Sequence, residues 1–289
     1  MKEQIEAVQR MQDYITAHLS EEITLTNLAK AAMFSPWYAR RIFIAYTGFS
    51  PSDYIRRLRL RHSALRLRDD NVTVTDVAFD FGFNSVDGYT RAFALEFGCN
   101  PKQYALNPVP LSLFNPYGVK YNHIERNKTI MEIKNIFIQL ITKPARRVII
   151  KRGIKADNYW DYCNEVGCDV WGILTSIKSI SGEPVCLWLS QNYILPNTSE
   201  YVQGVEVPCD YDGKIPEGFD IITLPESKYL MFQGEPFEEE NFNIAIDEVE
   251  SAIKKYDPTI LGYKWDKENP RIQLEPIGKR GYIEILPVK

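Results

Sequence analysis

The chain has 289 residues, of which 45% are apolar and 25% are charged. These values are ordinary for a globular protein and exclude a disordered, collagen-like or coiled-coil chain. At about 150 residues per domain, the length favours two domains. A formal net charge of −4 gives no sign of nucleic-acid binding for the chain as a whole.

The scarce residue types exclude several classes of protein. Five cysteines include no C-x-x-C pair, so we expect neither a zinc site nor another bound metal or cofactor. Because the chain has no apolar run of about 18 residues and no apolar signal-peptide core, we expect a cytoplasmic protein with reduced thiols and no membrane contact. The last of three histidines is His123, so the common acid–base groups are missing beyond it and we expect no enzyme.

Charge is distributed unevenly along the chain. Residues 1–128 carry 16 basic and 13 acidic side chains, whereas residues 129–289 carry 18 and 25. Within residues 35–68 there are eight arginines and one acid, Asp53. Such a stripe is typical both of nucleic-acid binding and of the solvated face of a long helix, and charge alone leaves both interpretations open.

An internal repeat lies in the N-terminal half, in residues 24–54 and 73–104. Thr24 and its neighbours recur 49 residues later, and Ser35 and its neighbours recur 50 residues later. Each copy predicts a short helix, a tight turn and a second helix, in which threonine caps the first helix and Ser35 or Ser85 caps the second. This order is typical of a helix-turn-helix, whose second helix enters the DNA major groove.

The second helices of the repeat, residues 36–46 and 86–97, present one apolar and one polar face. Arginine binds guanine or phosphate, and an exposed Trp37 packs on thymine methyl groups or sugars. The alternative is that Arg41 and Arg91 are structural and pair with acids inside each copy. Between the copies, residues 51–68 predict an amphipathic helix with its arginines outward. The candidate DNA-binding residues are Ser35, Trp37, Arg40, Arg41, Ser85, Asp87, Thr90 and Arg91.

The second copy, FGFNSVDGYTRAFALEFGCNPKQY at residues 81–104, resembles the signature of the AraC/XylS family of bacterial transcription regulators. The resemblance covers about residues 5–106. It implies two recognition helices, held by the connecting helix, that address two successive major-groove segments of double-stranded DNA about one helical turn apart. The chain departs from the usual pattern at Gly88, Ala94 and Ala105. Because Gly88 follows Asp87, we expect more of the sequence specificity to lie on the first recognition helix.

Residues 107–128 contain Pro108, Pro110, Pro116 and Gly118, which disfavour helix and strand. We therefore predict a DNA-binding domain at 1–107, a linker at 108–128 and a second domain at 129–289. The second domain alternates between strand-like and helix-like runs. Predicted strands are 136–142, 146–152, 185–191, 201–208, 219–225, 227–236, 271–277 and 281–288, and predicted helices are 156–167, 168–178 and 238–256.

The second domain resembles the GyrI-like effector-binding domain of Rob-type regulators. The match rests on VWGIL (170–174), SEYVQGVEVP (199–208), PRIQLEP (270–276) and YIEILPV (282–288). It implies an α+β fold whose antiparallel sheet is built from two pseudo-repeated strand-helix-strand-strand units. It also implies a pocket between those units for a hydrophobic, often cationic small molecule.

The aromatic residues of this domain fit such a pocket, since aromatic faces attract cations and a buried carboxylate needs a partner. We expect Glu275 to be the carboxylate, with Glu206 as second choice, although an ambiguity of two residues could place Gln273 there instead. The alternative is that the tryptophans are ordinary core residues and Glu275 is solvated. The candidate ligand-binding residues are Trp171, Trp188, Tyr193, Glu206, Tyr229 and Glu275.

The sequence therefore predicts a DNA-binding transcription regulator that senses a hydrophobic, cationic small molecule. Two alternatives remain for the second domain. It could be an interaction module for a protein such as RNA polymerase, since its acidic charge would suit a partner with a basic surface. It could instead be a small-molecule hydrolase. The sequence leaves the operator, the ligand and the oligomeric state open. Because it contains no coiled coil or clear dimer element, a monomer is the default expectation.

Overall fold

A computed structural model describes residues 2–116, 118–119, 135–167, 169–238 and 241–289. The chain divides into two compact units, Met1–Glu125 and Arg126–Lys289. None of the described helices is long and apolar enough to cross a membrane. Among the described cysteines, Cys99, Cys186 and Cys209 are free thiols.

The first unit is helical. Its helices are α1 Lys2–Ala17, α2 Leu25–Ala32, α3 Pro36–Thr47, α4 Pro51–Asp69, α5 Val74–Asp80, α6 Val86–Phe97 and α7 Pro101–Leu106. The repeat therefore folds as two helix-turn-helix units, α2–α3 and α5–α6. The predicted caps are present, since Thr24 and Ser35 accept backbone hydrogen bonds at the starts of α2 and α3. Thr73 and Ser85 do the same at α5 and α6.

Two separate hydrophobic cores form in this unit, and α4 contributes to both. Its N-terminal half buries Tyr54 and Leu58 in the core formed with α1, α2 and α3. Its C-terminal half buries Leu60 and Leu67 in the core formed with α5, α6 and α7. One helix thus carries the two helix-turn-helix units as parts of a single body.

The segment after α7, predicted as a linker, begins by packing on the same unit. Leu111 and Leu113 are buried in the second core. Phe114 packs edge-on against Phe49 and Tyr54 beside the first core, at ring-centroid distances of 5.3 and 5.1 Å. Tyr117 and residues 120–128 lie outside the described residues.

The second unit is an antiparallel sheet with helices on one face. Its strands are β1 Phe137–Lys143, β2 Arg146–Arg152, β3 Val185–Trp188, β4 Tyr201–Val207, β5 Asp220–Leu224, β6 Ser227–Gln233, β7 Arg271–Gln273 and β8 Ile283–Val288. Its helices are α8 Tyr159–Val166, α9 Asp169–Ser176 and α10 Phe242–Lys255. The eight strands lie in the order β1-β6-β8-β7-β3-β4-β2-β5.

Alternation along the strands gives the sheet two faces. On the helix-covered face, Tyr201 and Val205 of β4 pack in a core with α8 and α9, and Leu230 and Phe232 of β6 pack in a core with α10. On the opposite face, a third core spans both halves of the sheet through Val148, Val202, Tyr229, Ile272 and Ile285, among others.

Several strands are shorter than their sequence patterns predict. The strands predicted at 185–191 and 227–236 end at Trp188 and Gln233, and the strand predicted at 281–288 begins at Ile283. The predicted strand at 271–277 ends at Gln273, so Glu275 lies beyond the strand and does not share its face. Pro276 has no N–H to donate to a ladder. The chain then turns tightly, with a bridge between Ile277 and Gly281, where Gly281 has a positive φ of 81°.

Candidate functional site

The outer face of α3 combines an exposed aromatic ring with two cations. Trp37 is 69% exposed, and Arg40 and Arg41 are also exposed. The Arg41 guanidinium lies over the Trp37 and Tyr38 rings, 5.0 and 4.9 Å from their centroids. Ser35 caps the helix by accepting from the Tyr38 N–H at 3.4 Å. These groups form a polar surface at the N-terminal half of α3.

The matching face of α6 carries less positive charge. Asp87 and Arg91 are exposed and Thr90 is half-buried. Arg91 Nε donates to the Asp87 carbonyl oxygen at 3.4 Å. This hydrogen bond holds the Arg91 side chain against its own helix. Ser85 caps α6 through the Gly88 N–H at 3.1 Å. The two faces are equivalent in the repeat but unequal in charge.

The arginines on these two faces are not held by acids. In the part of the chain that the structure describes, Arg40, Arg41 and Arg91 form no ion pair. Structural pairing of Arg41 and Arg91 with acids in each copy is therefore not observed. Buried Ile42 and Phe43, like Tyr89 and Phe93, anchor the opposite sides of α3 and α6.

The remaining arginines of the basic stripe hold the unit together. Arg56 and Arg57 of α4 contact Asp53 and also reach Glu96 of α6, both at 3.4 Å. Arg59 donates to the carbonyl oxygens of Leu19, Glu21 and Gly82 at 2.9, 2.5 and 3.4 Å. Arg61, Arg66 and Arg68 likewise bond to a carbonyl oxygen or to acids. The sequence indicated this role only through Asp53, which stands three and four residues before Arg56 and Arg57.

The candidate ligand-binding residues do not form one cluster. Trp171 of α9 is buried in the core on the helix-covered face, with Trp188 half-buried in the same core. Tyr229 is buried in the core on the opposite face, and Tyr193 packs against that core. The Tyr193 hydroxyl donates to the Thr223 carbonyl oxygen at 3.2 Å. The sheet therefore separates the two tryptophans from the two tyrosines.

Glu206 lies on the opposite face from the helices and is fully buried. Its carboxylate accepts from Arg146 Nε at 2.5 Å and from Lys143 Nζ at 2.7 Å. Arg146, also fully buried, donates to the Tyr229 hydroxyl at 3.2 Å. Burial alone would raise the pKa of Glu206, but the two cations outweigh it and hold that pKa below its usual value. The negative charge of Glu206 is thus compensated inside the protein.

A second buried carboxylate, Glu284, lies on the helix-covered face. It accepts a bidentate pair of hydrogen bonds from Arg271 at 2.6 and 2.7 Å and one from the Tyr282 hydroxyl at 2.6 Å. The Arg271 guanidinium also stacks over Trp188, 4.4 Å from the ring centroid. Here an aromatic face and a carboxylate together hold a cation, which belongs to the chain itself. Sequence patterns did not single out Glu284.

Glu275, the first-choice carboxylate, is exposed. Its N–H donates to Glu183 at 3.2 Å, and its carbonyl oxygen accepts from Arg280 at 2.7 Å. On the helix-covered face of β4, Gln203 is only 2% exposed. The Gln203 amide nitrogen is buried and has no hydrogen-bond partner among the described residues. A buried donor without a partner is costly, so this face has a polar group that a ligand could satisfy.

Comparisons with known proteins match the first unit. A family model described as a helix-turn-helix domain matches residues 28–107. The chain is 35% identical to the right origin-binding protein of Escherichia coli strain K12 over 95 residues, which are 33% of each protein. It thus spans about a third of the length of that relative.

A shorter relative is matched over most of its length. The regulatory protein SoxS of Salmonella typhimurium is 31% identical over 97 residues, which are 34% of this chain and 91% of SoxS. The crystal structure of a probable AraC family transcriptional regulator from Rhodopseudomonas palustris CGA009 is 28% identical. That match covers 35% of this chain and 94% of the other, with a TM-score of 0.33.

Proposed function

Because the chain belongs to the AraC/XylS family of transcription regulators, we propose that it binds double-stranded DNA through α3 and α6. The observation that carries this proposal is the outer face of α3, where Trp37, Arg40 and Arg41 are exposed and the two arginines have no ion-pair partner among the described residues. Unpaired arginines are available for guanine edges and phosphates. As a DNA-binding regulator, the protein would act in the cytoplasm, where bacterial DNA lies.

The contacts of the connecting helix α4 favour simultaneous DNA binding by both helix-turn-helix units. Arg59 ties α4 to the end of α1 and to the turn at Gly82, and Arg56 and Arg57 tie it to Glu96 of α6. Two recognition helices fixed in one body address two major-groove segments on the same face of DNA, about one helical turn apart. Asp87 on α6 would face phosphate unfavourably, so α3 carries more of the readout.

Selection of binding sites from a pool of randomised DNA duplexes by the full chain tests this proposal. We expect the enriched duplexes to share two blocks of sequence with centres about 10 base pairs apart. The block read by α3 should be the more sharply defined. Enrichment of a single block, or of none, would show that the two helices do not read DNA together.

We propose that the second unit senses a small molecule and is built from two pseudo-repeated strand-helix-strand-strand units, each preceded by one further strand, β1 or β5. The strand order supports the repeat. The exchange of β1 with β5, β2 with β6, β3 with β7 and β4 with β8 converts the order β1-β6-β8-β7-β3-β4-β2-β5 into β5-β2-β4-β3-β7-β8-β6-β1. This is the original order in the opposite direction, as expected for two halves related by a pseudo-twofold axis. The central strands β3 and β7 then pair across the pseudo-twofold axis, and the ligand would bind on the helix-covered face near that axis.

A hydrophobic cation is the ligand class that this face favours. A ligand cation would take the place of the Arg271 guanidinium, which lies over Trp188 and is bound by Glu284. Glu275 adds an exposed carboxylate near Glu183, whose own carboxylate pairs with Arg280. Glu206 is not part of this site, because Arg146 and Lys143 compensate its charge on the other face of the sheet.

A thermal-shift panel of cationic, neutral and anionic aromatic compounds tests the ligand class. We expect cationic compounds to raise the unfolding temperature of the full chain by at least about 2 °C, because a ligand that binds only the folded state stabilises it. The Glu275→Gln variant should lose most of that shift, whereas Glu217→Gln, at another exposed site, should keep it. A shift with anionic compounds alone would contradict the cationic class. No shift with any compound would favour a protein partner such as RNA polymerase.

A further inference from the structure

The outer edge of β1 is long and apolar, and no described strand covers it. Among the described strands, β1 is at one end of the sheet and pairs with β6 alone. Phe137 is 61% exposed, Ile138 38% and Leu140 40%. Residues 137–142 include no charge, proline or glycine, which are the residues that usually protect an edge strand from pairing. Among the described residues, no side chain caps the backbone of this strand.

The other edge of the sheet, β5, is protected. It has five residues against seven in β1. Its first residue, Asp220, carries a charge that pairs with Arg152 at 2.6 Å. The Thr223 carbonyl oxygen accepts a hydrogen bond from the Tyr193 hydroxyl at 3.2 Å. β1 and β5 are the two end strands of the sheet and occupy equivalent places in its strand order. Of these two edges, only β1 lacks protection among the described residues.

From this contrast we infer that β1 is a dimerisation edge, which pairs antiparallel with β1 of a second copy of the chain. A pair of identical strands related by a twofold axis is self-complementary, because each supplies the same N–H and C=O groups to the other. All seven residues pair when the axis passes through Leu140. The two eight-stranded sheets then form one continuous sheet.

The side chains of β1 match in that register. Phe137 lies opposite Lys143 of the second copy, Ile138 opposite Thr142 and Gln139 opposite Ile141. Leu140 lies opposite its own counterpart. No like charges meet, since the single charge of the strand, Lys143, is at its end and is already paired with Glu206 at 2.7 Å. The Leu140 pair at the axis joins two apolar side chains, and such a cross-strand pair stabilises an antiparallel sheet. The other apolar residues of the strand each lie opposite a polar or charged side chain.

Dimerisation through β1 would give the assembly two DNA-binding units. Each unit has its own pair of recognition helices, so a dimer would engage two copies of the binding site. Because the shared edge is one strand long, the interface is at the small end of the range for specific complexes. We therefore expect a dimer that dissociates on dilution rather than a permanent one.

Sedimentation velocity of the full chain over about a hundredfold range of concentration tests this interface. We expect the wild-type protein to shift from monomer to dimer as its concentration rises. Leu140→Lys and Leu140→Glu each place like charges opposite one another at the axis, so each should weaken association by about tenfold or more. An equimolar mixture of the two variants should associate again, because opposite charges then meet at the same position.

The mixture separates loss of the interface from loss of folding, and circular dichroism of each variant should match that of the wild type because Leu140 is exposed. Three results would overturn the inference. The wild type could remain a monomer at every concentration, as it would if another part of the chain covered β1. Both variants could dimerise as tightly as the wild type. The mixture could fail to associate although each variant is folded.

Discussion

Replacement of Glu206 by glutamine is expected to destabilise the second unit by about 3–5 kcal/mol, because it leaves the buried Arg146 without its counter-charge. Both side chains are fully buried and joined at 2.5 Å. Arg146 would keep the Pro144 carbonyl oxygen, the Tyr229 hydroxyl and the amide oxygen of the new side chain as acceptors, but no carboxylate would balance its charge. Urea unfolding followed by tryptophan fluorescence measures the loss, since four of the five tryptophans lie in this unit.

The matched control removes both charges. In Arg146→Met combined with Glu206→Gln, no buried guanidinium is left uncompensated, so we expect much less destabilisation than in Glu206→Gln alone. Equal losses in the single and double variants would show that the cost comes from packing and that the ion pair contributes little.

The same pair predicts a pH dependence. Although burial opposes ionisation, Lys143 and Arg146 lower the pKa of Glu206 in the folded state. A lowered pKa stabilises the folded state above the usual glutamate pKa of about 4.3. This contribution is lost as the pH falls from there through the lowered pKa. The difference in stability between wild type and Glu206→Gln should therefore shrink below about pH 4.

Local patterns predicted the first unit well. The helix-turn-helix order, the Ser35 and Ser85 caps and the exposure of Trp37 all follow from neighbouring residues and helical spacing. Caps act within three residues of a helix start, so the sequence contains the whole interaction. The strand Arg146–Arg152 was predicted to the residue for a similar reason, since its β-branched run is continuous.

The partners of the arginines in the basic stripe, residues 35–68, could not be predicted from the sequence. The arginines of α4 look alike in the sequence, but their partners are far away in the chain. Glu96 stands 40 residues from Arg56, and the Gly82 carbonyl oxygen stands 23 residues from Arg59. Only the packing of α4 between two cores brings these groups together. Arg40 and Arg41 differ from them because they lie on an exposed face of α3 and form no ion pair among the described residues.

The carboxylates of the second unit show the same limit. Glu206, Glu275 and Glu284 all follow strand-like residues, and the sequence favoured Glu275. Which of them is buried, and on which face, depends on strand order and on the early end of β7 at Gln273. Those features depend on pairing between distant segments. Glu284 was missed because its partner, Arg271, lies on a different strand and comes within reach only when β7 and β8 pair.

The second large effect concerns DNA affinity. We expect the combined change Arg40→Ala and Arg41→Ala to weaken binding to the selected duplex by about 30-fold or more, about 2 kcal/mol, because it removes two side chains able to bond bases or phosphates. Arg91→Ala should weaken it by less than about tenfold, since Arg91 bonds along its own helix to the Asp87 carbonyl oxygen. Arg40→Lys with Arg41→Lys should recover only part of the loss, because lysine keeps the charge but not the bidentate fork.

Fluorescence anisotropy of the selected duplex, titrated with the full chain at two salt concentrations, tests the DNA-binding role of α3 most directly. The matched control is Lys178→Ala with Lys214→Ala, which removes two exposed positive charges from the second unit. We predict that the control binds like the wild type, and that the α3 double variant loses affinity and has a shallower salt dependence. Equal affinity of the wild type and the α3 double variant would contradict the account, because α3 would then not be a recognition helix.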